Sequence, residues 1–164
     1  MPGVGEDRMN QITVNAFPPV RNLVPHDGEM VLLDRVLAAD AETLTAEVAI
    51  RPETLFCKPQ GVDAWVGIEY MAQAIAAHAG YLAGLRNEPV KVGFLLGTRR
   101  YDCSQPVFAI GSLLEVRIQR VLQGDNGLGA FECAIRDQAS GVSLAVATIT
   151  VFQPADAKEF LQRS

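Results

Sequence analysis

An α+β domain, one long apolar helix wrapped by a curved antiparallel sheet of about six strands, is the fold class that this sequence predicts. Three observations predict it. A single stretch, Ala64 to Leu85, is long, almost wholly apolar and rich in small residues. Every other strongly patterned run reads as strand. The runs also come in one order, with two strands, then the helix, then four strands. A lone apolar helix and an antiparallel sheet bury their apolar faces against each other.

Along the chain, residues 1–19 lack periodicity and mix Gly, Pro and charges, which predicts a flexible arm. Pro25-His26-Asp27-Gly28 is a turn signal. Met30 to Ala38 is rich in β-formers. Thr43 to Ile50 alternates, with Leu44, Ala46, Val48 and Ile50 on one side. Ala39-Asp40-Ala41-Glu42 joins the two as a hairpin. Arg51 to Asp63 is irregular, broken by Pro52, Pro59 and Gly61. The helix follows and ends near Asn87, with Pro89 as a stop signal. Four strands come next, Val90 to Tyr101, Ser112 to Leu122, Leu128 to Asp137 and Val142 to Phe152. Gly124-Asp125-Asn126-Gly127 and Ala139-Ser140-Gly141 form hairpin loops between the last three. Ala155 to Gln162 reads as a short terminal helix. The folded domain is therefore expected over 20–154, with 155–164 as a tail.

Composition narrows the function. A chain of 164 residues, 49% hydrophobic and 20% charged, suits one globular domain with a real core. The formal net charge of −5 does not attract a phosphate backbone, so nucleic acid is not an expected partner. Cys57, Cys103 and Cys133 are odd in number, widely spaced and outside any CxxC, which suggests neither a disulfide framework nor a zinc site. They read as thiols in a reducing cytoplasm, and cytoplasmic residence is expected. The N-terminus has no apolar run of the signal-peptide kind. Ala64 to Leu85 is long enough to span a bilayer, but Glu69, Gln73 and His78 within it are costly in lipid. It reads as a helix buried in protein, its small residues letting a sheet come close, and no membrane span is expected.

Two segments carry a family resemblance. Leu23-Val24-Pro25-His26-Asp27-Gly28-Glu29-Met30-Val31-Leu32-Leu33-Asp34-Arg35-Val36 resembles the LPHR-x-PxLLxDRV signature of 3-hydroxyacyl-acyl-carrier-protein dehydratases. Val66-Gly67-Ile68-Glu69-Tyr70-Met71-Ala72-Gln73-Ala74 resembles their EAMAQ helix start. Val92 to Tyr101 fits the strand after the helix, and Gly111-Ser112-Leu113-Leu114 is similar to the turn before the next strand. The resemblance covers about residues 21–153 and is strongest to the branch associated with aryl polyene lipids, which carries a helix like Trp65 to His78. It implies the hotdog fold and dehydration of 3-hydroxyacyl thioesters carried by acyl carrier protein or coenzyme A. It also implies a homodimer in which two sheets run together with sites at the interface, a dimer of dimers, or pairing with a homologous subunit. One position departs from the pattern. Leu55 stands where the housekeeping enzymes carry the histidine of a GHFP segment, and Asp63-Ala64 replaces their Pro-Gly.

Dehydration of such a thioester requires removing an acidified α-proton and protonating the leaving hydroxyl, with donors to the thioester oxygen. No cofactor or metal is needed. Glu69 is the candidate carboxylate, near the start of an apolar helix; its other reading is a first-turn Glu serving only the helix dipole. Gln73 lies one turn on and either supports Glu69 or satisfies a buried backbone group. The first free N–H groups of the helix, near Ala64 and Trp65, are candidates to polarise the thioester carbonyl. His78 falls about 2.5 turns beyond Glu69 and reads as a packed side chain. His26 is either structural or the second titrating group that Leu55 cannot be. Arg99 and Arg100 form a basic pair suited to an acidic carrier or a pantetheine phosphate, or a solvated strand end. Phe56 and Trp65 line an acyl tunnel in one reading and fill the core in the other. Thioester hydrolysis and a non-catalytic acyl-binding role remain as alternatives.

Overall fold

The computed structural model describes residues 17–89 and 93–154. The expected terminal arm, apart from its last residues, and the expected terminal helix lie outside the described residues.

The β1–β2 hairpin forms where the sequence predicts it. Strand β1 (Arg35–Ala39) and β2 (Thr43–Ala49) pair antiparallel across a turn that Asp40 closes, its carboxylate accepting from the N–H groups of Glu42 and Thr43, each at 2.8 Å. The strand does not begin at Met30. Gly28–Met30 is a 3-10 turn, and the Leu32 N–H is taken by the Gln73 side chain at 2.8 Å instead of by a neighbouring strand. The Arg51 to Asp63 stretch contains structure that its irregular pattern hid. Strands β3 (Cys57–Lys58) and β4 (Gly61–Asp63) pair with each other, and β4 also pairs with β6 (Val107–Ala109), forming a second, three-stranded sheet.

The helix α1 spans Gly67–Leu85, preceded by a 3-10 turn over Ala64–Val66. It ends as expected, with Asn87 in the left-handed region at φ 56°. The remaining strands are β5 (Phe94–Cys103), β7 (Leu113–Gln123), β8 (Leu128–Asp137) and β9 (Ser143–Phe152), each within a few residues of its predicted span. The large sheet runs β1-β2-β7-β8-β9-β5, all antiparallel, so among the described residues β5 is paired on one side only. Among the described residues no helix is long and apolar enough to cross a membrane.

The core lies between α1 and the inner face of the sheet. Tyr70, Met71, Ala74 and Ala77 of the helix meet alternate residues of β2 (Leu44, Ala46, Val48), β7 (Leu114, Val116, Ile118) and β8 (Phe131, Cys133, Ile135). The small residues permit close approach from the other side too. A Cβ at Gly80 would collide with the backbone carbonyl of Leu23.

His78 packs in this layer at 1% exposure, donating from Nε2 to the Asp40 carbonyl at 2.9 Å, as its packed reading requires. Burial is the main cause that lowers its pKa from 6.5; the Asp40 bond and the Asp40 and Glu42 charges oppose this, while Arg120 adds to it. The unfolded chain therefore binds the extra proton that the folded chain refuses, so stability is full above about 6.5 and is lost as pH falls below that value. We expect the melting temperature to drop between pH 6.5 and about 5, before the carboxylates titrate. His78→Gln, which keeps a donor for Asp40, should flatten that limb; an unchanged limb in thermal melts across this range would assign it elsewhere.

Candidate active site

Glu69 and His26 meet within one chain. Glu69 sits in the first turn of α1, and His26 lies in the loop between two 3-10 turns, Val20–Asn22 and Gly28–Met30. The His26 Nε2 is 3.3 Å from the Glu69 Oε1. Both side chains are partly open to solvent, at 27% and 39% exposure, so the pair is accessible to a substrate. The Nδ1 of His26 is buried without a hydrogen-bond partner among the described residues.

Gln73 explains why the loop reaches the helix. It is fully buried, donates from Nε2 to the Met30 carbonyl at 2.6 Å and to Glu69 Oε1 at 3.2 Å, and accepts from the Leu32 N–H at 2.8 Å. One amide thus staples the segment after His26 to the helix while holding the carboxylate. Both expected readings of Gln73 are present in the geometry. Gln73→Leu leaves the Met30 carbonyl and the Leu32 N–H unpaired. We expect it to cost about 2–4 kcal/mol, lowering the melting temperature by roughly 5–15 °C. A melting temperature within 2 °C or so of the parent, on that same scale, would show that the staple contributes little.

The helix start differs from expectation in one respect. The Ala64 N–H is not free, because it donates to the Pro106 carbonyl at 2.9 Å. The Ala64 carbonyl accepts from the Tyr101 hydroxyl at 2.5 Å. The N–H of Trp65 is the first in the turn left without an acceptor among the described residues. Trp65 and Phe56 do not fill the core. Their rings pack against each other with centroids 6.0 Å apart, and both are exposed, at 60% and 43%. Phe56 holds a left-handed backbone at φ 69°, an unfavourable conformation for a bulky residue that turns its ring outward beside Trp65. Beneath them Lys58 lies 2.6 Å from Asp63 and holds that carboxyl below its ordinary value. Leu55 packs half-buried against the core.

Arg99 and Arg100 are not brought to Glu69. Arg99 pairs with Thr148, whose neighbours Ala147 and Ile149 point to the core, so Arg99 lies on the outer face of the sheet. Arg100 lines an outer-face groove with Arg117, Glu132 and Thr148. Sequence reasoning also passed over Tyr101, which strand alternation would place on the same face as Arg99. A bulge between Arg99 and Asp102 resets that alternation, and nothing in the local pattern announces it.

Comparison with known proteins identifies the family and the fold. The model of the ApeP-like family, described as ApeP dehydratase, matches residues 18–162. The dehydratase heterocomplex ApeI:P from Xenorhabdus doucetiae is 30% identical, over 89% of this chain and 97% of that one, with a TM-score of 0.81. A hypothetical thioesterase protein with coenzyme A from Streptococcus pneumoniae is 13% identical over 73% of this chain and 84% of that one, TM-score 0.58. The Escherichia coli PaaI protein from the phenylacetic acid degradation operon is 15% identical over 72% and 81%, TM-score 0.57. The last two share the fold alone. No curated protein matches the sequence.

Proposed function

The chain belongs to the ApeP-like dehydratase family, and from that premise we propose that it converts 3-hydroxyacyl thioesters to trans-2-enoyl thioesters in fatty-acid or polyene synthesis, the aryl polyene branch above all. The observation that carries the site assignment is the 3.3 Å approach of His26 to Glu69 at the start of the helix.

The step balances without a cofactor. The Glu69 carboxylate removes the α-proton, and the C–H electron pair moves onto the thioester oxygen as an enolate. As the pair returns, the C–O bond to the 3-hydroxyl breaks and His26 protonates the departing oxygen, releasing water. The proton on Glu69 then passes to His26, which restores the pair. Phe56 and Trp65 offer an aromatic surface for the acyl chain beside this centre. Arg99 and Arg100 offer an exposed positive strip on β5 for an acidic acyl carrier protein or the phosphate of a coenzyme A thioester.

Among the described residues the outer edge of β5 pairs with no strand, which supports association through it, with a second copy or with a homologous subunit, and the relative's description as a heterocomplex favours the latter. We expect a dimer, or a dimer of dimers, at micromolar concentration; a monomer in sedimentation both alone and mixed with a homologous dehydratase subunit would contradict this. Leu55 favours a second reading, an acyl-binding subunit that turns over nothing itself. The purified chain given a 3-hydroxyacyl-pantetheine thioester decides the matter. Enoyl absorbance rising without free thiol supports the proposal. Free thiol assigns hydrolysis instead, and binding without either product assigns the partner role.

A further inference from the structure

We propose that Tyr101 is a positioning residue that braces the Ala64–Trp65 peptide so that its N–H holds the thioester oxygen; this rests on the reading of the site given above.

Both hydrogen-bonding groups of Ala64 have partners outside the helix, and its carbonyl also takes the Gly67 N–H within the turn. Its N–H donates to the Pro106 carbonyl and its carbonyl accepts from the Tyr101 hydroxyl. Among the described residues every peptide bond is trans, so the Trp65 N–H points opposite to the Ala64 carbonyl. The carbonyl faces inward, where the Tyr101 hydroxyl sits against Gly67 with Ile135 and Phe108 close by. The N–H therefore points the opposite way, away from that hydroxyl. Glu69 follows four residues later, about one helical turn away. Helical side chains tilt toward the N-terminus, so the Glu69 carboxylate reaches back toward the α-carbon of a thioester held on the Trp65 N–H.

Three features serve this brace. Gly67 leaves room for the hydroxyl, since a Cβ there would collide with it. The β5 bulge turns Tyr101 inward when simple alternation would leave it outward. Arg100 adopts a left-handed backbone, φ 52°, to make that bulge, a conformation that is unfavourable for arginine. Burial pushes the Tyr101 pKa upward, so the hydroxyl remains a donor across the working pH range. A donor on the carbonyl of a peptide unit also polarises its N–H, which strengthens the bond that N–H makes to a developing oxyanion.

Removal of a direct oxyanion donor lowers kcat by about 100- to 1,000-fold. Tyr101 acts one bond further away, so Tyr101→Phe should lower kcat by about 10- to 100-fold while changing KM less than about threefold. The direct test needs no turnover. A saturated S-hexanoyl-pantetheine, 13C-labelled at the carbonyl, is bound to the full chain, and its carbonyl stretch is read by infrared difference spectroscopy. The wild type should lower the frequency below that of free thioester, and Tyr101→Phe should return it most of the way. An equal shift in both proteins, or no shift in the wild type, overturns the brace. Should Tyr101→Phe not fold, 3-fluorotyrosine at 101, close to isosteric and a stronger donor, should deepen the shift; an unchanged frequency overturns the proposal. Failure of the thioester to bind at all overturns the function proposed above and the brace with it. Binding without a shift overturns the brace alone.

Discussion

Glu69→Gln should leave a folded protein that no longer dehydrates. The amide matches the carboxylate in size and keeps an oxygen to accept from Gln73, whose Nε2 lies 3.2 Å away. Glu69 is 39% exposed, so the neutral side chain meets no severe desolvation change. What disappears is the carboxylate beside His26, the group assigned to take the α-proton. General acid–base groups contribute about 100- to 10,000-fold, and here the acceptor of the first proton is removed outright. We expect a loss of about 10,000-fold or more, with circular dichroism and melting temperature close to the parent. Glu69→Ala is the weaker experiment, because it also strips a hydrogen-bond partner from buried Gln73. Wild-type rates in Glu69→Gln would remove the acid–base role altogether.

His26→Asn should lower turnover by about 100- to 10,000-fold. The stability effect should be small, because the contact is partly solvated, at 27% and 39% exposure, and even charged pairs so exposed contribute about 0–1 kcal/mol. The combination is diagnostic. A structural His26 would show the reverse, a lower melting temperature with little change in the rate of the surviving folded protein. Asparagine keeps a polar group in the loop, and the Gln73 staple to Met30 and Leu32 remains to hold the segment in place. Steady-state rates and thermal melts on one preparation separate the two outcomes.

These effects rest on contacts that were unequally legible in the sequence. The helix declared itself through length and apolarity. Its glycines had a general reason, close approach, and the structure supplies the particular partners, Leu23 for Gly80 and Tyr101 for Gly67. Strands β7, β8 and β9 were legible because each is ten or more residues long and alternates over a good part of its length. The small sheet was not, since Cys57–Lys58 and Gly61–Asp63 are too short for any period to show. His26 was legible as a candidate because the chain has 2 histidines and one of them falls in a family signature. Its closeness to Glu69 followed from the need for a second titrating group that Leu55 cannot be; the device that achieves it was not legible, a buried Gln73 amide 43 residues from Met30 that draws the loop in. The false start of the first strand at Met30 has the same origin, as an N–H that joins a side chain cannot join a ladder. Tyr101 was hidden by its bulge, and Ala64 was misjudged because Pro106, far away in sequence, takes its N–H.

The account stands or falls on proton removal by Glu69 followed by loss of the 3-hydroxyl. The direct measurement incubates wild type and Glu69→Gln with a 3-hydroxyacyl-pantetheine thioester in D2O and analyses all products by mass spectrometry. The account predicts enoyl thioester in the wild type, with deuterium entering C2 of the remaining substrate as the reaction reverses, and neither change with Glu69→Gln. Equal enoyl yield from the two proteins, or a free carboxylic acid as the wild-type product, would contradict it.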